Sequence, residues 1–207
     1  MPKDFDNIIK SAFKPGITIE YGIMNGNSTI VFIKAGQNGS IYGYENKYLT
    51  MANTINEKYG YTVICSSNPF DGTNPLDNAM EVISQYVKTR GFDDYLIYYM
   101  GTSNGAIIGA QFGYMYPQIR RMLLVNAPLM INLHKTKQGI EKFEGEQVVM
   151  IYGDQDPSYR YIETLNTIKN NIFRYYVAKG QDHYFSKDTV DFKELPELYL
   201  LKSINQS

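Results

Sequence analysis

The run Gly101-Thr102-Ser103-Asn104-Gly105 contains the residue of this chain that is best suited to nucleophilic chemistry. An apolar segment, 95–100, precedes the run and a helix-like segment, 106–112, follows it, which predicts a strand, a sharp turn and a helix. A turn this sharp brings strand and helix close together. Glycine on both sides of the serine is needed there because a Cβ would clash with the strand or the helix. The pattern is typical of a nucleophile elbow, which exposes a serine hydroxyl at the carboxyl end of a sheet.

Two other interpretations of this run are open. The glycines can simply allow a helix to pack closely on a sheet, with Ser103 as the helix N-cap. A dinucleotide-binding turn is the second, but it needs the pattern GxGxxG and an acidic residue at the end of the next strand. The next predicted strand ends at Asn126, so the sequence does not favour a dinucleotide site.

A nucleophilic serine needs a base, and imidazole is the usual one because its charge changes near neutral pH. The chain has two histidines. His134 lies at a predicted exposed helix start, which is an ordinary surface position. His183 lies in segment 179–185, immediately after the last predicted strand, 173–178, where a loop at the carboxyl edge of the sheet would bring it over Ser103. His183 is therefore the predicted base.

An acid must hold the other ring nitrogen of that base, so that the imidazole presents the correct tautomer. The loop after the predicted strand 148–152 contains two candidates, Asp154 and Asp156. Asp156 precedes Pro157 and a predicted helix, so it can also be a helix N-cap. Asp154 can be a turn residue whose side chain bonds its own backbone. The residue types alone leave this choice open.

The elements that position these residues alternate between strand and helix. Strands 17–24 and 28–34 flank Asn25-Gly26-Asn27, a sequence typical of a hairpin, and we expect them to pair antiparallel at one side of the sheet. Apolar strands separated by helices indicate a mostly parallel, doubly wound α/β sheet with helices on both faces. The other predicted strands are 61–65, 95–100, 121–126, 148–152 and 173–178; the predicted helices are 45–58, 76–89, 104–116, 157–169 and 190–204, with a loop at 66–75.

Charge and composition exclude several classes of protein. Lys and Arg total 20 against 21 for Asp and Glu, a net charge of -1, which favours binding to neither nucleic acid nor an anionic membrane. The single cysteine, Cys65, excludes an internal disulfide and is expected to be buried in strand 61–65. With no export signal, spanning segment, repeat or linker, we expect a cytoplasmic protein with a single domain over residues 1–207.

From about Ile17 onward, roughly nine tenths of the chain, the sequence resembles the α/β-hydrolase fold family. The triad of that family runs serine, then aspartate or glutamate, then histidine along the chain. Ser103, Asp156 and His183 follow the same order at three successive strand ends. The resemblance implies that these three residues are the catalytic triad of a serine hydrolase.

Two shorter motifs refine this resemblance. The family's acid commonly closes a GxxD motif at a strand end, matched here by Gly153 to Asp156, so the resemblance selects Asp156 over Asp154. Its histidine commonly closes a GxxH loop, matched by Gly180 to His183. Asp182, beside that histidine, is expected to be a solvated loop charge.

An oxyanion hole is the remaining requirement for acyl transfer. The resemblance implies two backbone N–H donors, those of Asn104, after the nucleophile, and Gln37, in the loop after strand 28–34. Family members often have His-Gly in that loop, whereas this chain has Ala35-Gly36. The backbone amide does not depend on the missing histidine.

The resemblance implies an esterase that acts on a small-molecule substrate with a short or medium acyl group, with no metal and no organic cofactor. Only residues 127–147 separate two predicted strands where the family inserts a lid, so we expect an open site without a cap domain. Segment 127–133 is apolar enough to wall an acyl pocket or to be an ordinary buried loop. Thioesterase, peptidase or acyltransferase activity, or a catalytically silent binding module, are the alternatives.

Overall fold

The computed structural model of the protein describes residues 2–69, 75–187 and 189–202. These residues form one eight-stranded sheet and four α-helices, none of them long and apolar enough to cross a bilayer. The strands are β1 (Asn7–Lys14), β2 (Ile17–Met24), β3 (Asn27–Lys34), β4 (Tyr61–Ser66), β5 (Leu96–Thr102), β6 (Ile119–Val125), β7 (Gln147–Gly153) and β8 (Phe173–Ala178). The helices are α1 (Lys47–Tyr59), α2 (Leu76–Arg90), α3 (Asn104–Phe112) and α4 (Leu133–Glu141).

The strand order is β1-β2-β4-β3-β5-β6-β7-β8. The six strands from β4 to β8 in that order are mutually parallel, and β2 pairs antiparallel with both β1 and β4. The mostly parallel α/β sheet with an antiparallel hairpin near the amino terminus is thus confirmed. Because parallel strands end at the same edge, the residues that follow β3, β5, β6, β7 and β8 gather at one edge of the sheet.

The strands of that hairpin differ from the predicted ones. Residues 17–24 and 28–34 do not pair, because β4 lies between β2 and β3. Residues 25–27 lack the positive φ angles of a tight hairpin turn. Instead, a Cβ on Gly26 would lie 2.3 Å from the carbonyl carbon of Tyr61, so this glycine allows two backbones to pass closely. The hairpin is formed by β1, which was not predicted, and β2.

Helices cover both faces of the sheet, as predicted. One buried cluster joins one face of the strands to α2, α3 and α4. The other joins the opposite face to α1 and to side chains near the carboxyl terminus, including Phe192 and Leu200. Cys65 is buried in this second cluster, which confirms its predicted place in the core.

Two predicted helices are not α-helical. Residues 157–169 contain 3-10 turns over Tyr159–Thr167, where the hydroxyls of Thr164 and Thr167 each donate to the carbonyl three residues earlier. Such side-chain bonds compete with the α-helical pattern and favour the tighter turn. In the described part of segment 190–204, residues 190–202, the helical structure is a 3-10 turn, Phe192–Glu194, and a π turn, Glu197–Leu201. Residues 203–204 of that predicted helix, and 70–74 of the predicted loop, lie outside the described residues.

Candidate active site

Ser103 lies at the junction of β5 and α3 with φ 51° and ψ -118°, a strained conformation for a residue with a side chain. Two glycines make this junction possible. A Cβ on Gly101 would lie 2.4 Å from the carbonyl oxygen of Gly105, and a Cβ on Gly105 would lie 2.4 Å from that of Lys34. Ser103 precedes α3, yet its side chain makes no capping bond among the described residues. The geometry therefore favours a half-buried serine whose hydroxyl is not engaged by the helix over a helix N-cap.

The side chains of Ser103, His183 and Asp156 are in contact in series. Ser103 Oγ lies 2.9 Å from His183 Nε2, and His183 Nδ1 lies 2.5 Å from Asp156 Oδ2. The imidazole is 29% exposed, whereas the side chain of Asp156 is 1% exposed. In this arrangement the carboxylate can accept a hydrogen bond from Nδ1–H, which leaves Nε2 free to accept the proton of the hydroxyl.

The other candidates of the sequence lie elsewhere. Asp154 accepts a hydrogen bond from the amide of Gly180 at 2.8 Å, so the structure brings Asp156 and not Asp154 to the imidazole. Asp182 accepts bonds from Ser186 and Tyr184, and the bonds from Ser186 lower its pKa the most. His134 is exposed on α4.

Asn126, which sequence reasoning used only as a strand end, connects the loops that carry the acid and the base. Its side-chain oxygen accepts from the amide of Gly153 at 2.9 Å. Its side-chain nitrogen donates to the carbonyls of Asp182 and His183 at 3.0 and 2.9 Å. Asn126 is 1% exposed and has φ 48°, a conformation that asparagine tolerates. We call Asp156, His183 and Asn126 the proton-transfer side of the site.

The loop after β3 approaches the serine from the other direction. A Cβ on Gly36 would lie 3.3 Å from the Cβ of Ser103. Within the described part of the chain, neither the backbone N–H of Gln37 nor that of Asn104 donates a hydrogen bond. Both amides are thus without a hydrogen-bond acceptor in this part of the structure, and Gly36, next to Gln37, lies against Ser103.

Asn68 connects the two segments that carry these amides, and sequence reasoning missed it. Its side-chain nitrogen donates to the carbonyl of Ala35 at 3.0 Å and to the side-chain oxygen of Asn104 at 2.9 Å. Asn68 is 2% exposed and follows the end of β4 by two residues. We call Gln37, Asn104 and Asn68 the oxyanion side of the site.

A cavity of about 360 Å³ adjoins Ser103 and His183, a volume suited to a small ligand. The apolar segment 127–133 does not line it: Ala127 and Leu129 are buried in the core, and Met130 and Ile131 are exposed. The remaining lining residues are Gly36, Gln37, Asn38, Lys47, Tyr48, Thr102, Val125, Tyr184 and Phe192.

Tyr48 forms the cavity wall beneath the serine. Its hydroxyl lies 2.7 Å from the hydroxyl of Thr102, the residue before Ser103. Burial raises the pKa of Tyr48 to about 12, so the phenol is neutral near pH 7. Among the described residues, no group of three or more His, Cys, Asp or Glu side chains is arranged to hold a metal ion.

No family model matches the sequence, and no curated protein matches it. Solved structures do. A serine hydrolase homologue from Coxiella burnetii has a TM-score of 0.65 at 16% identity, covering 92% of this chain and 95% of that one. The esterase domain of a Rhodothermus marinus protein has a TM-score of 0.64 at 11% identity, covering 93% and 95%.

A third similar structure is XC6422 from Xanthomonas campestris, described as a serine hydrolase without a lid. Its TM-score is 0.62 at 14% identity, and the match covers 95% of both chains. At identities this low, structural similarity establishes the fold, whereas the chemistry has to be inferred from the residues of the site. The chain has the α/β-hydrolase fold.

Proposed function

We propose that this protein is a serine hydrolase that cleaves a carboxylic ester with a short or medium acyl group through an acyl-enzyme. The observation that carries the proposal is the contact series from Ser103 Oγ through His183 to Asp156. A hydroxyl is a weak nucleophile near neutral pH, and this series supplies the base and the group that orients the base. The esterase and serine hydrolase descriptions of the similar structures support the same reaction class.

In the proposed first step, Ser103 Oγ attacks the ester carbonyl carbon and its proton passes to His183 Nε2. The tetrahedral intermediate collapses as the carbon–oxygen bond to the alcohol breaks, and the imidazolium gives its proton to the leaving alcohol. Water then attacks the acyl-enzyme, with His183 again accepting and returning a proton, which releases the acid. Asp156 stays ionised and stabilises the imidazolium in both steps.

The proposed oxyanion donors are the backbone N–H groups of Gln37 and Asn104. Negative charge develops on the carbonyl oxygen in both tetrahedral intermediates, and preorganised donors stabilise it by roughly 3 kcal/mol each. We further propose a single domain with an open site, since only α4 and loops lie between β6 and β7. No metal or organic cofactor takes part in this scheme.

The substitution Ser103→Ala tests the proposal. We expect it to reduce hydrolysis of an activated aryl ester to background while the circular dichroism spectrum is unchanged. Ser84→Ala, on the exposed face of α2, is the matched control and should retain wild-type turnover. Undiminished turnover by Ser103→Ala would remove this residue from the mechanism.

A fluorophosphonate probe separates an enzyme from a silent binding module, because covalent capture requires an activated hydroxyl. We expect the label on Ser103 in the wild type and its loss in His183→Ala. A wild type that takes up no label would contradict the proposal. Matched oxygen esters, thioesters and amides then rank the acyl donors, and the oxygen ester is expected to give the highest kcat/KM.

A further inference from the structure

Lys47 lines the cavity beside Ser103 and brings a positive charge to it. It is the first residue of α1 and is half-buried. Its ammonium lies 4.2 Å from the ring centroid of Phe192 and 5.4 Å from that of Tyr48. Two aromatic rings of the cavity wall therefore hold the charge by cation–π contact.

This ammonium has no counter-ion in the described part of the chain. No carboxylate there lies within ion-pair distance of Lys47, and its Nζ makes no hydrogen bond. The neighbouring acids are engaged elsewhere or point to solvent: Asp191 pairs with Lys193 at 3.6 Å, Asp182 accepts from Ser186, and Glu45 is exposed. Burial lowers the pKa of Lys47, which reflects the water that its charge has lost.

The rest of the cavity does not compensate this charge. None of its lining residues is acidic, and Asp156 lies behind His183 with its side chain 1% exposed. Lys47 also stands at the amino-terminal end of α1, where the helix dipole adds positive potential. A partly desolvated cation in an acid-free cavity is most stable when a ligand brings the opposite charge.

We propose that the physiological ester carries a negatively charged group, such as a carboxylate, that pairs with Lys47 while the ester carbonyl is at Ser103. The proposal rests on the proposed hydrolase function for the ester and on Lys47 for the charge. It assigns Lys47 to substrate specificity. The charged group belongs to the acyl part or to the alcohol part of the ester, and the two are distinguished by the substrates used.

Two pairs of substrates test the proposal. For the acyl part, mono-4-nitrophenyl glutarate is compared with 4-nitrophenyl pentanoate, a neutral ester of similar length. For the alcohol part, 4-acetoxybenzoate is compared with phenyl acetate. For each pair we take the ratio of kcat/KM for the anionic ester to kcat/KM for the neutral ester. In at least one pair we expect Lys47→Met to lower this ratio by about tenfold, which corresponds to the free energy of a hydrogen bond to a charged group. The affected pair identifies the part that carries the charge.

Two further variants separate this effect from general electrostatics. Lys47→Arg keeps the charge and should restore the ratio, whereas Lys47→Glu should lower it further. Lys193→Met removes an exposed charge close to the cavity, beside Phe192, and should leave the ratio at the wild-type value. Ratios that stay unchanged in Lys47→Met for both pairs, or that fall equally in Lys193→Met, would overturn the proposal while ester hydrolysis stands.

Binding without turnover keeps the two proposals distinguishable. The Ser103→Ala protein is titrated with glutarate and with neutral glutaramide while NMR chemical shifts of the backbone amides are followed. We expect glutarate to shift amides near Lys47 and Phe192, and the added Lys47→Met change to abolish those shifts. If glutarate binds in this way but none of the esters is hydrolysed, the hydrolase proposal alone is refuted. If glutarate does not bind and the ratios are unchanged in both substrate pairs, the role of Lys47 is refuted.

Discussion

The proton-transfer side and the oxyanion side of the site are each connected by one buried asparagine. Asn126 follows β6 and joins the loops of Asp156 and His183; Asn68 follows β4 and joins the segments of Gln37 and Asn104. The two sides differ in the groups that would act on substrate. On the proton-transfer side these are side chains, and on the oxyanion side they are backbone amides.

This difference determines how each side can fail. A side chain that carries a proton is lost when its residue changes, so substitutions on the proton-transfer side should act on the chemistry itself. A backbone amide survives substitution of its own residue, so the oxyanion side should be damaged chiefly through the contacts that position the loops. We therefore expect larger effects on the proton-transfer side.

The largest effect should come from Asp156→Asn. The amide would hold His183 in the wrong tautomer, with Nε2 protonated, and kcat should fall about 10⁴-fold. Asp154→Asn is the matched control, because an asparagine can still accept the hydrogen bond from Gly180. We expect its kcat to stay within about threefold of the wild type. Equal losses in the two variants, measured with an activated ester, would contradict the assignment of the acid.

The next largest predicted effect concerns Lys34 and the pH dependence of the free energy of unfolding. This lysine ends β3, beside the oxyanion loop, is 0% exposed, and donates to the carbonyl of Ser67 at 2.6 Å and the hydroxyl of Ser66 at 2.9 Å. Burial lowers its pKa to about 7. The unfolded chain therefore binds more protons between about pH 7 and pH 10.4, and stability should rise with pH across that window.

Lys34→Met should remove this dependence. Between about pH 7 and pH 9.5 the wild type should gain about 3 kcal/mol of unfolding free energy relative to the variant, as measured by urea titration. The carbonyl of Ser67 keeps a partner in the variant, since Ser66 Oγ also donates to it. The exposed Lys193→Met should follow the wild-type pH profile. Parallel profiles for Lys34→Met and the wild type would show that this amine is not desolvated.

The same difference explains what could be predicted from the sequence. Ser103, His183 and the two acidic candidates were recognisable because their side chains have distinctive chemistry and follow strand ends. The residues that connect the loops could not be recognised in this way. Asn68 and Asn126 look like ordinary loop asparagines in the sequence, and their contacts depend on which strands are neighbours in the sheet. Lys47 appears in the sequence as a surface charge at a helix start, and only the packing of Phe192 shows that it faces the cavity.

The fold was predictable where the signal was local. Apolar strands separated by helices indicated the parallel sheet, but the pairing of residues 17–24 and 28–34 was wrong because β4, more than 25 residues later, inserts between them. Residues 25–27 have the composition of a hairpin turn, but in the structure Gly26 lies against the backbone at the start of β4. Composition alone does not distinguish a turn from a close backbone crossing.

Asn126→Gly tests the connection on the proton-transfer side. Glycine accepts φ 48° without strain, so the change isolates the three side-chain bonds. Loosening of the loop that carries His183 should lower kcat roughly 30-fold. Asn132→Gly, at φ 54° on the exposed end of α4, is the matched control and should retain kcat. If both variants lose stability to the same extent and neither loses kcat, the asparagine serves folding alone.

Asn68→Ala should have the smallest effect, about tenfold in kcat, because two backbone bonds survive the substitution. The amide of Asn38 still donates to the carbonyl of Asn68, and the amide of Asn68 to the carbonyl of Gly39. What is lost is the bridge to Ala35 and Asn104, so the affinity for a trifluoromethyl ketone, which forms a tetrahedral oxyanion, should fall in proportion to kcat/KM. The affinity for the product acid should not change, since its carboxyl carbon stays planar and forms no tetrahedral oxyanion. A loss shared equally by ketone and acid would mean that Asn68 shapes the cavity and not the hole, and the contrast between the two sides would then rest on Asn126 alone.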